Sequence, residues 1–272
     1  MGRIQEKNRH QNPQYPIQSR PIIQSAQKEK QSVNQPITIA IDGPAASGKS
    51  TVSQRLADRL GYLYLDTGCM YRAATLAALQ AQIAPEDETA VTALAHTLQL
   101  DILSTNLPTD GRQYTVILNG QDITWAIRSP EVDAHVSQVA SYIGVREEMV
   151  QRQRTFGQRG SVVMVGRDIG TVVMPNATLK FYITATAAER ARRRWLDRQQ
   201  QGHTEDYNTI LADIERRDEI DSNREHSPLR PADNALIIDT TGLTIEQVID
   251  ELETLTRNQQ PTTNNQQPTT NN

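Results

Sequence analysis

The chain of 272 residues has a single cysteine, Cys69, so it can form no intrachain disulfide and suits a reducing compartment such as the cytoplasm. Cys69 lies among small apolar residues, where a thiol reads as core filling rather than as a nucleophile. No apolar run approaches the ~18 residues that a bilayer-crossing helix requires, so no membrane partner is expected. The basic N-terminal residues are not followed by the apolar stretch of a secretory signal. Positive charge is not in excess either: 28 Lys and Arg against 32 Asp and Glu leave a net charge of −4. That balance speaks against general binding of a nucleic-acid polymer. Residues 1–35 lack large apolar side chains and any helical or strand period, and are rich in Gln, Asn, Pro, Lys and Arg. Such a segment cannot bury enough surface to offset the entropy of ordering. Residues 257–272 carry the polar run Asn-Gln-Gln-Pro-Thr-Thr-Asn twice, which is low complexity rather than a structural repeat. Both ends are therefore expected to be disordered tails, leaving 36–256 as one α/β domain of ordinary size. Nothing in the pattern demands more than a monomer.

Within that domain, strand and helix patterns alternate. Strands are expected at 37–42, 62–65, 161–165, 179–183 and 235–238, each rich in branched apolar residues. Helices are expected at 49–60, from near Met70, at 86–98, from Ser129-Pro130-Glu131, at 145–156 after Gly144, from Thr186, at 207–220 and from Thr244 to about Leu255. Thr186…Glu189 and Thr244…Gln247 fit capping boxes. Residues 99–124 differ: Leu100, Ile102, Tyr114, Val116 and Leu118 alternate with polar residues, with turns at 108–111 and at Asn119-Gly120. The fold class is thus α/β, with a mostly parallel five-stranded core sheet, helices on both faces and a small inserted antiparallel sheet.

The segment Gly43-Pro44-Ala45-Ala46-Ser47-Gly48-Lys49-Ser50 reads G-x-x-x-x-G-K-S, with Thr51 next. It stands between a strand and a helix, as a phosphate cradle requires. Backbone N–H groups and the helix N-terminus face phosphate oxygens. Lys49 reaches the β- and γ-phosphates, and the Ser50 hydroxyl is placed for Mg²⁺.

Three further polar clusters stand out. Asp66-Thr67-Gly68-Cys69-Met70-Tyr71-Arg72 follows a strand, where Thr67 and Arg72 can hold a second phosphate or can be an ordinary helix cap and a surface arginine. Gly166-Arg167-Asp168-Ile169-Gly170-Thr171 also follows a strand, and its Arg–Asp pair can read a ring with donors and acceptors or form a structural salt bridge. Arg190, Arg192, Arg193, Arg194 and Arg198 lie on one helix, with Arg217-Asp218 and Asp221-Ser222-Asn223-Arg224 beyond. They can neutralise a triphosphate or be a solvated basic face.

Taken together these residues resemble the bacterial cytidylate kinase family. The likeness is carried by Ile41-Asp42-Gly43-Pro44 leading into the Lys49 loop, Leu65-Asp66-Thr67-Gly68 with Tyr71-Arg72, and Ser137-Gln138-Val139-Ala140. Val145-Arg146 with Arg152-Gln153-Arg154, Gly166 to Thr171, and the Asp221…Arg224 end complete it, over about 36–255 and in order. The resemblance implies a P-loop kinase that moves the γ-phosphoryl group of ATP to CMP or dCMP with Mg²⁺. It implies that 99–124 belongs to the monophosphate-binding region, and that the helix at 187–206 is a lid carrying Arg193 and Arg194. It further implies that Thr67, Arg72, Ser137, Arg146, Arg167, Asp168, Asp221 and Arg224 hold CMP. Arg72 would meet the phosphate, Ser137, Arg146 and Asp168 the cytosine, and Asp221 the sugar. Lys49, Arg167, Arg193 and Arg194 would stabilise developing charge. One residue departs from the family pattern: the position before Gly166 is usually acidic, and here it is Val165. Asp42 and Asp66 are the carboxylates placed to take its part. The rival readings are another small-acceptor P-loop kinase and a nucleotide-binding protein with reduced turnover.

Overall fold

The computed structural model describes residues 37–104 and 110–259. The expected tail at 1–35, the expected tail at 257–272 from residue 260 onward, and part of the turn at 108–111 lie outside the described residues; Arg257 and Asn258, placed in that second tail, instead close the last helix. The core is a five-stranded parallel sheet of β1 (Thr38–Asp42), β2 (Leu63–Asp66), β6 (Val162–Gly166), β7 (Leu179–Thr184) and β8 (Leu236–Asp239). Its spatial order is β2-β6-β1-β7-β8. The strand before the glycine-rich loop is therefore the central one, paired with β6 on one side and β7 on the other. This explains its apolar run: Ile39, Ala40 and Ile41 are all fully buried, as in parallel strands covered on both faces.

Helices cover both faces. Ile39, Ile41, Val163, Val165 and Phe181 pack with Val52 and Leu56 of α1 (Lys49–Leu60) and with Val248, Ile249 and Leu252 of α8 (Ile245–Asn258). Ala40, Val162 and Met164 point the other way, as the period of two requires, onto α2 (Gly68–Gln80) and α5 (Ile143–Gly157). The alanines of α2 let α3 (Glu88–Thr97) and α4 (Pro130–Val139) pack closely against it. The inserted sheet is antiparallel: β3 (Leu100–Ser104), β4 (Tyr114–Leu118) and β5 (Gln121–Asp122). The β4–β5 turn has left-handed Asn119 and Gly120, φ 49° and 82°, which suits the twist of a two-residue hairpin. A third apolar cluster, with Ala191, Ile210 and Ile214, joins α6 (Ala187–Gln200) to α7 (Tyr207–Asn223) and reaches Ala46 of the loop.

Three further expectations are corrected. The helix expected at 145–156 begins earlier, at Ile143, and takes in Gly144, where a Cβ would come 2.2 Å from Thr92 Cγ2, so the glycine allows close packing against α3. The box at Thr186 is only half formed. Thr186 Oγ1 accepts from Glu189 N, but the Glu189 carboxylate turns to Arg192 and Arg193 instead. The helix after Asp66 begins at Gly68 rather than near Met70. The Thr244–Gln247 box is complete.

Candidate active site

The loop leaves β1 at Asp42 and enters α1 at Lys49. Gly43, Ala46 and Gly48 have φ of 152°, 58° and 83°, and this run of positive φ curls the backbone around the helix N-terminus. Lys49 is buried, and its Nζ donates to the Pro44 carbonyl at 2.8 Å. Burial, and then Arg167 nearby, push its ammonium well below the ordinary lysine range. An anionic phosphate beside it reverses that shift. Ser50 Oγ donates to Asp66 Oδ2 at 2.7 Å, while Asp66 Oδ1 accepts from Gly68 N. A serine hydroxyl with one carboxylate behind it suits Mg²⁺ bound mainly through substrate phosphates, since this ion takes few protein ligands there. Among the described residues no group of three or more His, Cys, Asp or Glu gathers to hold a metal by itself.

Asp42 does not stand in for a carboxylate at Val165. Its Oδ1 accepts from Ile169 N and its Oδ2 from Gly170 N, both at 2.7 Å, which engages both oxygens and ties β1 to the loop after β6. Val165 itself is fully buried beside Ile41 and Asp66 in the sheet register. Cys69 is buried, and burial raises its thiol pKa well above the usual range, in keeping with core filling.

Two clefts open beyond the strand ends. One is lined by Ala46, Ser47, Gly48, Lys49, Ser50 and Thr51, with Arg193, Arg194, Arg198 and Thr240 opposite. The other gathers every residue that the resemblance gave to the acceptor: Thr67, Arg72, Ser137, Arg146, Arg167, Asp168, Asp221 and Arg224. The lining of this cleft carries Lys49, Arg72, Arg146, Arg167, Arg194, Arg217 and Arg224 against the carboxylates of Asp66, Asp168 and Asp221, an excess of positive charge inside a chain of net charge −4. Ala46, Lys49, Ser50, Asp66, Gly68, Arg72 and Arg194 line both clefts.

The second cleft is built from ion pairs. Arg146 and Asp168 form a buried pair, each side chain 5 % exposed. Arg146 also stacks 5.6 Å from the Tyr71 ring centroid and donates to the Ala140 carbonyl. Arg167 Nε donates to Asp221 Oδ2 at 2.9 Å. Burial would raise the Asp221 carboxyl, but Arg167 outweighs it and holds the group below the usual range. Burial and then the neighbouring Arg167 and Arg72 push Arg217 down to about 10. Thr67 is not a side-chain cap: its hydroxyl donates to the Val165 carbonyl at 2.8 Å. Nor is Arg72 a surface arginine, since Nη1 donates to the Ile127 carbonyl and Nη2 to Asp133. The arginines of α6 divide. Arg190 is buried on Asp218 and the Ala45 carbonyl. Arg193 binds Thr240 and reaches the Ser47 carbonyl at 3.4 Å. Arg194 turns to Asp133, and Arg192 is a solvated partner of Glu189.

The sequence reading missed the site roles of Tyr71 and Asp133, and offered Arg217 only as one of a set of arginines for a triphosphate, not as a wall of the second cleft. Helical spacing held the signal for two of them: Asp133 precedes Ser137 by four residues, and Arg217 precedes Asp221 by four.

Comparisons with known proteins give the family. A family model described as cytidylate kinase matches residues 39–258. The cytidylate kinase of Chloroflexus aggregans is 54 % identical over 209 residues, covering 77 % of this chain and 89 % of that protein. That of a Geobacillus species is 49 % identical over 216 residues, covering 79 % and 94 %. That of Bacillus subtilis is 47 % identical with the same coverage. The cradle at Lys49, the arginine-lined cleft beside it and this likeness along the whole domain place the chain in the cytidylate kinase family.

Proposed function

We propose that this protein transfers the γ-phosphoryl group of ATP to CMP or dCMP, giving ADP and CDP or dCDP, as a step of pyrimidine nucleotide metabolism in the cytoplasm. The observation that carries the reading is the meeting of two clefts, one built on the P-loop and one on paired arginines, at Lys49, Ser50, Asp66, Arg72 and Arg194. The shared wall is where a phosphoryl group can pass from donor to acceptor.

ATP lies along Gly43 to Thr51, with the loop amides and Lys49 on its phosphates. Ser50 and Asp66 are the residues that would hold a Mg²⁺ riding on ATP, whose charge offsets that of the β- and γ-phosphates. CMP lies in the second cleft, its phosphate on Arg72 and Thr67, its base against Ser137, Arg146 and Asp168, its sugar near Asp221 and Arg224. An oxygen of the CMP phosphate attacks the γ-phosphorus in line. The new O–P bond forms as the bond to the β–γ bridging oxygen breaks, and ADP leaves with that electron pair. The attacking oxygen is already anionic, so no strong general base is required. Catalysis is positioning plus charge neutralisation by Lys49, Arg167 and Arg194. Arg193 acts one step back, joining the lid to Thr240 and the loop carbonyl of Ser47. Closure of α6 over the phosphates keeps water from the γ-phosphorus.

The domain from about residue 36 to the end of α8 at Asn258 carries every residue this chemistry uses. No nucleic-acid polymer, membrane or second copy of the chain is needed; among the described residues no helix is long and apolar enough to cross a membrane. A coupled ADP-release assay with CMP, dCMP, UMP, AMP and shikimate tests the reading. A cytidine nucleotide is expected to give the highest kcat/KM, and preference for another acceptor would overturn the substrate assignment. Tight binding of ATP and CMP without CDP formation would overturn the activity.

A further inference from the structure

Asp133, in the first turn of α4, is surrounded by guanidinium groups from two other helices. Its Oδ1 accepts from Arg72 Nη2 of α2 at 2.6 Å. Its Oδ2 accepts from Arg194 Nη2 of α6 at 3.0 Å, and Arg198 Nη2 of the same helix lies 3.6 Å away. The side chain is only 16 % exposed, so water screens these pairs weakly. Burial would push its carboxyl pKa up, but Arg72 and Arg194 outweigh that and hold it below the usual range. Arg217 is a further cation beside it. This is not a helix cap, because Ser129 Oγ already accepts from Val132 N at the start of α4. The carboxylate lines the P-loop cleft at its junction with the second cleft, and two of its partners, Arg72 and Arg194, are residues that line both.

Both terminal nitrogens of Arg72 are engaged in this arrangement, which leaves three of its five N–H groups for a ligand. Nη1 is on the Ile127 carbonyl and Nη2 on Asp133. A phosphate arriving at the junction draws on the same two guanidinium groups as the carboxylate, and binds them more strongly through its greater charge. We infer that Asp133 is a positioning residue that competes with substrate phosphate for Arg72 and Arg194, so that phosphate entry and release of the lid helix from α4 are one exchange. The carboxylate keeps the arginines converged and the lid drawn toward the acceptor side. It gives them up to the phosphates and takes them back as products leave.

The inference rests on Arg72 as the acceptor-phosphate arginine, and two variants separate the failures. In Asp133→Asn, the KM for CMP falls by about fivefold, the equivalent of one partly buried ion pair. The inhibition constant of inorganic phosphate, used as a bare anion probe, falls with it. A merely structural role predicts the opposite sign, a higher KM with a lower Tm. An unchanged or raised KM for CMP in Asp133→Asn overturns the competition. Arg72→Gln raises the KM for CMP; if it does not, the assignment of Arg72 itself is wrong. If Asp133→Asn does not fold, the wild-type protein carries the test. The carbon-13 resonance of the Asp133 carboxylate moves when CMP is added to saturation, and a resonance that stays in place overturns the exchange.

Discussion

Ser50 Oγ donates to Asp66 Oδ2 at 2.7 Å, so the hydroxyl that opens α1 and the carboxylate that ends β2 form one polar unit at the wall between the two clefts. Asp42 is held by two amides on the loop after β6, and position 165 is apolar, which leaves Asp66 as the strand-end carboxylate beside Ser50. Asp66→Asn is therefore expected to weaken Mn²⁺ binding to the enzyme–ATP complex by about tenfold, the usual scale for a group behind a metal ligand. Free Mn²⁺ measured by electron paramagnetic resonance reports this without turnover. Unchanged Mn²⁺ affinity would mean that Asp66 has no part in holding the ion.

The pair Arg146–Asp168 is buried and sits beside Tyr71 in the second cleft. Asp168→Asn leaves the Arg146 charge uncompensated, which costs about 3–5 kcal/mol when a buried pair loses one partner. Urea unfolding checks that figure. The same substitution is expected to lower the kcat/KM preference for CMP over UMP by about 100-fold, because a base is selected by buried polar groups that a wrong base leaves unpaired. Lost stability with an unchanged preference would reduce the pair to a structural one.

The parts of the site that lie next to each other in sequence were legible before the structure. The loop from Gly43 to Thr51, the Asp66–Arg72 turn and the Gly166–Thr171 turn each follow a strand, and parallel strands bring their C-terminal ends to one edge. What was not legible depends on helix rotation and on long-range pairing. Arg193 and Arg194 are adjacent in sequence but point about 100° apart on α6. One meets Thr240 and the other Asp133, a division that no local pattern encodes. Asp133 lies in the first turn of a helix, where a carboxylate normally needs no explanation beyond the helix dipole. Gly144 was left outside α5 because the sequence does not show Thr92 against it.

Two glycines of the loop should respond differently to alanine. At Gly43 a Cβ would lie 2.0 Å from the Ile183 carbonyl oxygen, which belongs to the neighbouring strand and cannot swing aside. At Gly48, φ 83°, it would meet only Arg193 Nη1 at 3.7 Å. Gly48→Ala is expected to cost about 1 kcal/mol, the penalty of a left-handed alanine. Gly43→Ala should cost about 3 kcal/mol or more, since backbone must shift. Urea midpoints for the two variants check the order, and equal costs would show that the Ile183 contact relaxes freely.

Asp42 links stability to pH. Burial outweighs its two amide donors and lifts its pKa from 3.8 to about 6. A raised carboxyl pKa means that the folded protein binds this proton more tightly than the unfolded chain does. The contribution of Asp42 to stability is therefore greatest below the unfolded value, and it is lost as pH rises toward the folded one. Asp42→Asn does not titrate, so the stability difference between wild type and variant isolates the effect. That difference is expected to fall by roughly 2.4 kcal/mol between pH 4 and pH 7, at about 1.4 kcal/mol for each tenfold difference in proton affinity between the folded and unfolded chain. Urea unfolding of both proteins at pH 4, 5, 6 and 7 measures it directly. A difference that stays flat would show that the amides of Ile169 and Gly170 fully compensate burial. A difference that grows with pH would show that they overcompensate, and that Asp42 is held as a charged anchor between β1 and the loop after β6.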